Sequence, residues 1–206
     1  MRGAEAYAQL RGLDGPVVGT REAAALWRSE EGTARRRLQS LAEAGLVTPI
    51  RRGLWSVEDD PDPFAVAPYL TAPFAAYISV FSALAVHGMI EQIPGRISVV
   101  SLDRARRIQT EIGAFDVHHI APELFGGFVP WQRGGAIASP EKALFDLVYL
   151  RAAAGGRAYL PELTLPDAFD HDALGAWVDR IGSARLRTLV SRRSKELLEG
   201  AVATRW

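Results

Sequence analysis

Thr20-Arg-Glu-Ala-Ala-Ala-Leu-Trp27, then Gly32-Thr-Ala-Arg-Arg-Arg-Leu-Gln-Ser-Leu-Ala-Glu-Ala-Gly-Leu-Val47, then Thr48-Pro-Ile-Arg-Arg-Gly-Leu-Trp-Ser-Val57 is the stretch on which the fold turns. Its order is a short helix, a polar break, an arginine-bearing helix and a hairpin. Thr20 stands where a cap belongs, and Glu22 falls in the first turn, where the helix dipole favours negative charge. Gly45 closes the second helix, as a left-handed terminus requires. Arg51-Arg52-Gly53 sits at the tip of a hairpin expected between 47–50 and 54–57, where glycine permits the turn. The pattern predicts a winged helix-turn-helix, an arrangement that presents one helix to the major groove and a basic wing to the flanking phosphates.

Within the arginine-bearing helix, Ala34, Leu38, Leu41 and Ala42 recur at three- and four-residue spacing and form the core face. Opposite them stand Thr33, Arg36, Gln39 and Ser40, flanked by Arg35 and Arg37. Arginine can hold guanine bidentately, glutamine can pair with adenine, and the hydroxyls can reach base edges or phosphates. Arg36, beside Thr33, is the expected base reader; Arg35, Arg37, Arg51 and Arg52 are expected phosphate clamps. A run of three arginines alone is as well explained by a solvated helix face, but the second basic element at the hairpin tip favours nucleic acid. Trp27 and Trp55 read as core.

Moving outward, a first helix is expected from about Ala4 to Arg11, closed by Gly12, Asp14, Gly15 and Pro16. After the hairpin, Glu58-Asp59-Asp60-Pro61-Asp62-Pro63 is acidic and broken by proline, and reads as a linker over 58–68. The remainder, 69–206, changes period repeatedly: a helix near Ser79 to His87, strands at Arg96 to Ser101, Thr110 to Ile120 and Phe125 to Val129, a helix from Ser139 to about Ala152, and closing helices at Ala173 to Ile181 and Ala184 to Leu198. The fold class is α+β, a winged helix over 1–57 followed by a mixed α/β domain.

Composition narrows the alternatives. At 206 residues with 48% hydrophobic content, the chain can bury substantial cores. It has no cysteine, so disulfides and thiolate metal sites are excluded. The net charge is zero, yet residues 1–57 carry nine Arg against six acids, and the rest fifteen basic against eighteen acidic residues. That asymmetry places the phosphate-seeking surface at the N-terminal end. Leu70 to Ile90 holds no formal charge and has the length of a membrane span, but Pro73, Ser79, Ser82, His87 and Gly88 interrupt it, so a buried segment is expected and no membrane. No charged-then-apolar leader opens the chain, so a cytoplasmic location is expected.

Three strings stand out downstream: Tyr77-Ile-Ser-Val-Phe-Ser-Ala-Leu-Ala-Val-His-Gly88, Phe115-Asp-Val-His-His-Ile120 and Gly135-Ala-Ile-Ala-Ser-Pro-Glu-Lys-Ala-Leu-Phe-Asp-Leu147. None is a metal or phosphate signature. In this order, behind the N-terminal pattern, they resemble the AbiEi family, antitoxins and autorepressors of bacterial abortive-infection toxin–antitoxin operons, over nearly the whole chain. The resemblance implies a repressor of its own operon acting on double-stranded DNA with inverted repeats, an antitoxin counteracting a nucleotidyltransferase-like toxin, and no enzymatic activity or cofactor.

The residues themselves admit plainer readings. Ser139, Pro140 and Glu141 make a cap, a first-turn proline and a first-turn acid. Leu144, Leu147, Val148 and Tyr149 supply a buried face, and Asp146, costly if buried alone, is expected to meet His87 or a backbone amide. His118 and His119 point to opposite faces of a strand, whereas Asp116 and His118 share one. With Glu111, Glu123 or Glu141 they would form the metal site of a nuclease, the alternative enzymatic reading. A ligand-responsive regulator is a third. Arg185, Arg187, Arg192 and Arg193 form a second basic group, either solvated or in contact with nucleic acid.

Overall fold

The computed structural model describes residues 3–160 and 162–203. The chain begins with α1 (Gly3–Arg11), β1 (Val17–Gly19), α2 (Thr20–Leu26), α3 (Glu31–Glu43), β2 (Thr48–Arg51) and β3 (Leu54–Ser56). The three strands form an antiparallel sheet in the order β1-β3-β2. Ala34, Leu38 and Leu41 of α3 are buried with Ala6 and Leu10 of α1, Ala23, Ala24 and Trp27 beside α2, and Val18 and Trp55 of the sheet. The heptad-like spacing thus does what its period dictates, turning one stripe of α3 inward. Gly45, at φ +70°, ends α3, and the Leu46 N–H returns to the Leu41 carbonyl at 2.9 Å.

Thr20 is not the cap of α2. Gly19 holds that position, and its N–H donates to the Glu22 carboxylate at 3.2 Å. Thr20 lies inside the helix, buried, with its Oγ1 accepting the Trp55 indole N–H at 3.0 Å. A hydroxyl in the first turn that satisfies a buried indole is worth more there than at the cap, since an unpaired indole N–H would bear its whole desolvation cost. The hairpin turns at Arg52-Gly53, with Gly53 at φ +82°.

The acidic stretch is not an unpacked tether. Asp62 caps α4 (Pro63–Val66) through the Phe64 N–H at 2.9 Å, and a 3-10 turn, Ala67–Leu70, follows. Pro61, Val66, Ala67 and Leu70 are buried. Aspartate before proline is a helix-start signal, and here it acts as one. Arg133 fixes the cap by donating to both Asp62 oxygens at 2.7 and 2.8 Å while lying 4.2 Å from the Phe64 ring centroid.

Six strands then build the main sheet: β4 (Ala76–Ile78), β5 (Ile97–Ser101), β6 (Arg106–Thr110), β7 (Gly113–His119), β8 (Phe128–Pro130) and β9 (Ala136–Ala138), in the order β6-β7-β5-β4-β9-β8. It is mixed: β5 runs parallel to β7, and β4 parallel to β9, while the other pairs are antiparallel. Between β4 and β5 lies α5 (Val80–Val86), and α6 (Pro140–Ala153), α7 (His171–Asp179) and α8 (Ala184–Glu199) follow the sheet. A short parallel pair, β10 (Thr164–Leu165) with β11 (Val202–Ala203), brings two distant segments together.

Cross-strand partners share a face. The register puts Tyr77, Val100 and His118 on one face, with Ser98, Asp116 and Arg107, and places Ile78, Val99, Val117 and Arg106 on the other. The first face carries α6, whose Asp146 meets Tyr77. The segment Pro63–Leu70 lies against the second, where Arg106 reaches the Leu70 carbonyl. Among the described residues no helix is long and apolar enough to cross a membrane. The uncharged run 70–90 is a 3-10 end, a strand and a seven-residue helix, with Leu70, Tyr77, Ile78, Val80, Ala83 and Leu84 buried and Phe74 and Val86 exposed.

Candidate nucleic-acid interface and a buried ion pair

The outer stripe of α3 presents Arg35, Arg36, Gln39 and Ser40 to solvent, with Thr33 half-buried at its N-terminal end. The Arg36 guanidinium donates to the Thr33 hydroxyl at 3.2 Å, so these two side chains stand as one unit on the first turns of the helix. Arg37 differs. It is half-buried, its guanidinium 5.0 Å above the Trp27 ring, and it packs back on the core instead of extending outward. Acidic residues begin α3, with Glu30 at the cap position and Glu31 in the first turn; Arg21 pairs with Glu31 at 3.4 Å on the surface.

At the hairpin tip the two arginines have separate environments. Arg52 is exposed. Arg51 donates to the Leu70 carbonyl at 3.2 Å, the same oxygen that Arg106 reaches at 2.9 Å, and Arg106 pairs with Asp103. Burial pushes the Arg51 guanidinium below its ordinary range, and the neighbouring Arg106 adds to the effect, partly offset by Asp103. Arg51 therefore joins the hairpin to the main sheet. Val17 and Ile50 continue the seam by packing with the second core, and Tyr69 OH sits where a side chain at Gly15 would fall.

Arg28, in the turn between α2 and α3, is exposed at φ +48°. Sequence reasoning passed over it because a lone arginine in a break carries no periodic signal. A non-glycine residue held left-handed is uncommon. It puts a further cation beside the start of α3.

The second concentration of charge is inside the protein. Lys142 and Asp146, four residues apart on α6, form an ion pair with both side chains fully buried. The Asp146 carboxylate also accepts from Ser79 Oγ at 2.7 Å and Tyr77 OH at 3.0 Å, and the Lys142 ammonium donates to Tyr77 OH at 2.9 Å. Trp177 and Phe145 rings stand 4.7 and 5.0 Å from the ammonium. Burial pushes the Asp146 carboxyl up and the Lys142 amine down, and each countermands part of the other's shift. The same burial, with Asp146 adjacent, raises the Tyr77 phenol.

His87 is not the partner of Asp146: its Nε2 lies 2.7 Å from the Ala138 carbonyl. The strand-to-helix turn decides this. Val80, a β-branched residue at φ +53°, follows Ser79 directly, and the turn aims the Ser79 hydroxyl at Asp146. Gly127, at φ +70°, lines the cluster too, where a Cβ would lie 2.9 Å from Lys142 Cγ and 2.6 Å from the Trp177 ring.

Asp116 and His118 do share a face, but among the described residues no third ligand joins them. Asp116 accepts from Arg96 at 2.8 Å and lies 3.7 Å from Arg107. Glu141 is buried elsewhere, its Oε1 accepting the Asp170 N–H at 3.0 Å. Among the described residues no three His, Asp or Glu side chains converge to hold a metal ion. A carboxylate already bonded by Arg96, with a second guanidinium 3.7 Å away, is a poor ligand, because a cation would have to displace the first and stand beside the other. On α8, Arg192 pairs with Glu196 at 3.6 Å and Arg193 bonds the Gly156 carbonyl, Arg185 is exposed, and Arg187 and Arg192 border one cleft, so the four arginines do not act as a single group.

Compared with models of known families and with curated proteins, the chain gives no family match and no significant relative.

Proposed function

We propose that the chain binds double-stranded DNA through a winged helix over 1–57, with α3 as the groove-reading helix and β2–β3 as the wing, and that it represses its own operon in the cytoplasm. The observation that carries this reading is the outward stripe of α3, where Arg35, Arg36, Gln39 and Ser40 are exposed and Thr33 is bonded to Arg36, while the opposite stripe is consumed by the core. Major-groove recognition needs this division: a helix anchored by its apolar stripe and polar groups free to meet base edges. The exposed Arg52 at the hairpin tip and Arg28 beside α3 extend the cationic surface toward phosphates. The resemblance to AbiEi antitoxins adds the second half of the proposal, that 69–206 counteracts a nucleotidyltransferase-like toxin.

Fluorescence anisotropy on the DNA immediately upstream of the gene, against scrambled duplex across a salt series, tests the DNA-binding reading. The expected result is specific binding that weakens steeply with salt, since a pair of such units would make on the order of 6 to 10 phosphate contacts. Equal binding to both duplexes at every salt would leave α3 without a sequence-reading role. Co-expression of residues 1–206 with a neighbouring toxin gene, scored as rescued growth, tests the antitoxin half separately.

A further inference from the structure

The sheet is longer than the helices that cover it. α5 rests on β5, and α6 rests on α5 and β9, so β6 and β7 extend past the helical layer at the sheet's edge. The uncovered corner is a cleft of about 420 Å³, within the size range of small-molecule sites. Its walls are of two kinds. Val80 and Phe81 of α5 with Leu147 and Leu150 of α6 make an apolar side. Facing them from β6 and β7 are Arg107, Asp116 and His118, and Arg151 closes the cleft from the last turn of α6.

The charges in this corner do not cancel. Among the described residues Asp116 is the only acid in the lining, and Arg96 already occupies its carboxylate at 2.8 Å. Arg107 stands 3.7 Å from the same oxygen, with its side chain 85% exposed. Among the described residues Arg151 has no carboxylate within pairing distance; its guanidinium rests 5.9 Å from the Phe81 ring centroid. Of the three arginines in the lining, Arg106 is engaged by Asp103 and the Leu70 carbonyl on the other face of the sheet, so two guanidinium groups border a cleft whose single carboxylate is taken. Burial, more than the nearby Arg151, holds the His118 imidazole below its ordinary range, against the opposing pull of Asp116, so at neutral pH the ring adds a hydrogen-bonding group and no charge.

We propose that this cleft binds a small organic anion, its phosphate or carboxylate held by Arg107 and Arg151 and its apolar body lying on Val80, Phe81, Leu147 and Leu150. A cation is disfavoured by the two arginines. A purely apolar ligand would cover Arg151 without pairing it, at a cost in desolvation. An inorganic anion alone would leave the apolar wall wet. Only a molecule with both parts satisfies both walls, and both are presented by secondary structure whose position the core fixes. The site is separate from α3 and stands or falls independently of DNA binding.

Isothermal titration calorimetry of the full chain with phenyl phosphate, phenylacetate and inorganic phosphate tests the proposal, and the two aryl anions separate phosphate from carboxylate preference. At least one aryl anion should bind about tenfold or more tighter than inorganic phosphate, as burial of one ring predicts. Arg151→Gln and Arg107→Gln should each weaken it about tenfold, the scale of a charge-assisted hydrogen bond. Both substitutions fall on exposed positions, and unchanged thermal unfolding would show the fold intact. The His118 ring resonances should move on titration in the unsubstituted chain. Absence of binding by either aryl anion at millimolar concentration, or binding that Arg151→Gln and Arg107→Gln leave unchanged, overturns the proposal.

Discussion

Two helices of nearly equal length treat charge in opposite ways. α3 has 13 residues and buries three of them, all apolar; α6 has 14 and buries nine, among them Glu141, Lys142 and Asp146. On α3 the ionic groups other than the half-buried Arg37 face water and their energies are small and screened, so the helix is held by Ala34, Leu38 and Leu41 and Arg35 and Arg36 are left available. On α6 the three charges Glu141, Lys142 and Asp146 are part of the core, and each is tied to a partner outside the helix or one turn along it, while Arg151 in the last turn stays exposed. The difference separates two meanings of a charged residue: on α3 it is a surface waiting for a partner, on α6 it is a partner already supplied.

The largest effect that would sharpen this contrast is removal of one member of the buried pair. Lys142→Met leaves Asp146 with Ser79 and Tyr77 but no cation, and should destabilise folding by about 3 to 5 kcal/mol, read from the midpoint of urea unfolding. The double change Lys142→Met with Asp146→Leu removes both charges and should recover most of that loss, because two buried ions together repay little of their desolvation. Substitution of Arg35 or Gln39 on α3 should shift the midpoint by less than about 0.5 kcal/mol. If Lys142→Met were as mild as the α3 changes, the pair would not be ionic in the folded state.

This contrast also marks the limit of what the sequence discloses. The stripe Ala34, Leu38, Leu41 was legible because a helix buries what its period repeats, and Gly45 and Gly53 were legible because a left-handed turn selects glycine. Lys142 and Asp146 at i and i+4 look like an ordinary exposed pair. Their burial depends on Tyr77 and Ser79, which lie 65 to 69 residues away and are placed by a strained turn at Val80 that no local preference announces. The strands β4, β6 and β9 escaped notice for a related reason: short strands inside a mixed sheet take their stability from neighbours, so Ala76–Ile78 and Ala136–Ala138 lack an alternating pattern of their own. Asp62-Pro63 in the acidic stretch did carry a cap signal, obscured by the surrounding charge.

For the exposed helix the informative measurements are of binding. Arg36→Ala should cost about 1 to 3 kcal/mol of operator affinity and relax preference at one base pair, with folding unchanged. Arg37→Ala should do the reverse, since its guanidinium covers Trp27: a measurable loss of stability and a smaller change in sequence preference. Operator selection followed by sequencing distinguishes them. Equal effects from both would erase the distinction between an outward and an inward arginine on α3.

The hairpin tip poses the same contrast between adjacent residues. Arg52→Ala should lower the salt dependence of DNA binding by about one phosphate contact and leave folding untouched. Arg51→Ala removes one of two donors to the Leu70 carbonyl, so it should cost roughly 0.5 to 1.5 kcal/mol of stability, with Arg106 keeping that oxygen satisfied. Were the two variants indistinguishable in urea and in salt titration, the seam drawn by Arg51 would have no energetic content.

The smallest expected effect comes from His118. Its folded form resists protonation, chiefly because it is buried, so its folded value lies below the ordinary 6.5 of an unfolded histidine. Between those two values the unfolded chain binds a proton that the folded chain does not, and folding stability must fall as pH is lowered through about 6.5. One titrating group can impose at most about 1.4 kcal/mol per pH unit. Urea midpoints measured from pH 7.5 to 5 should therefore slope downward toward acid, and the part due to this ring should vanish in His118→Gln. If His118→Gln leaves the slope unchanged, then burial on the Tyr77 face does not set the His118 proton affinity, and the cleft that this ring lines is wetter than its apolar wall implies.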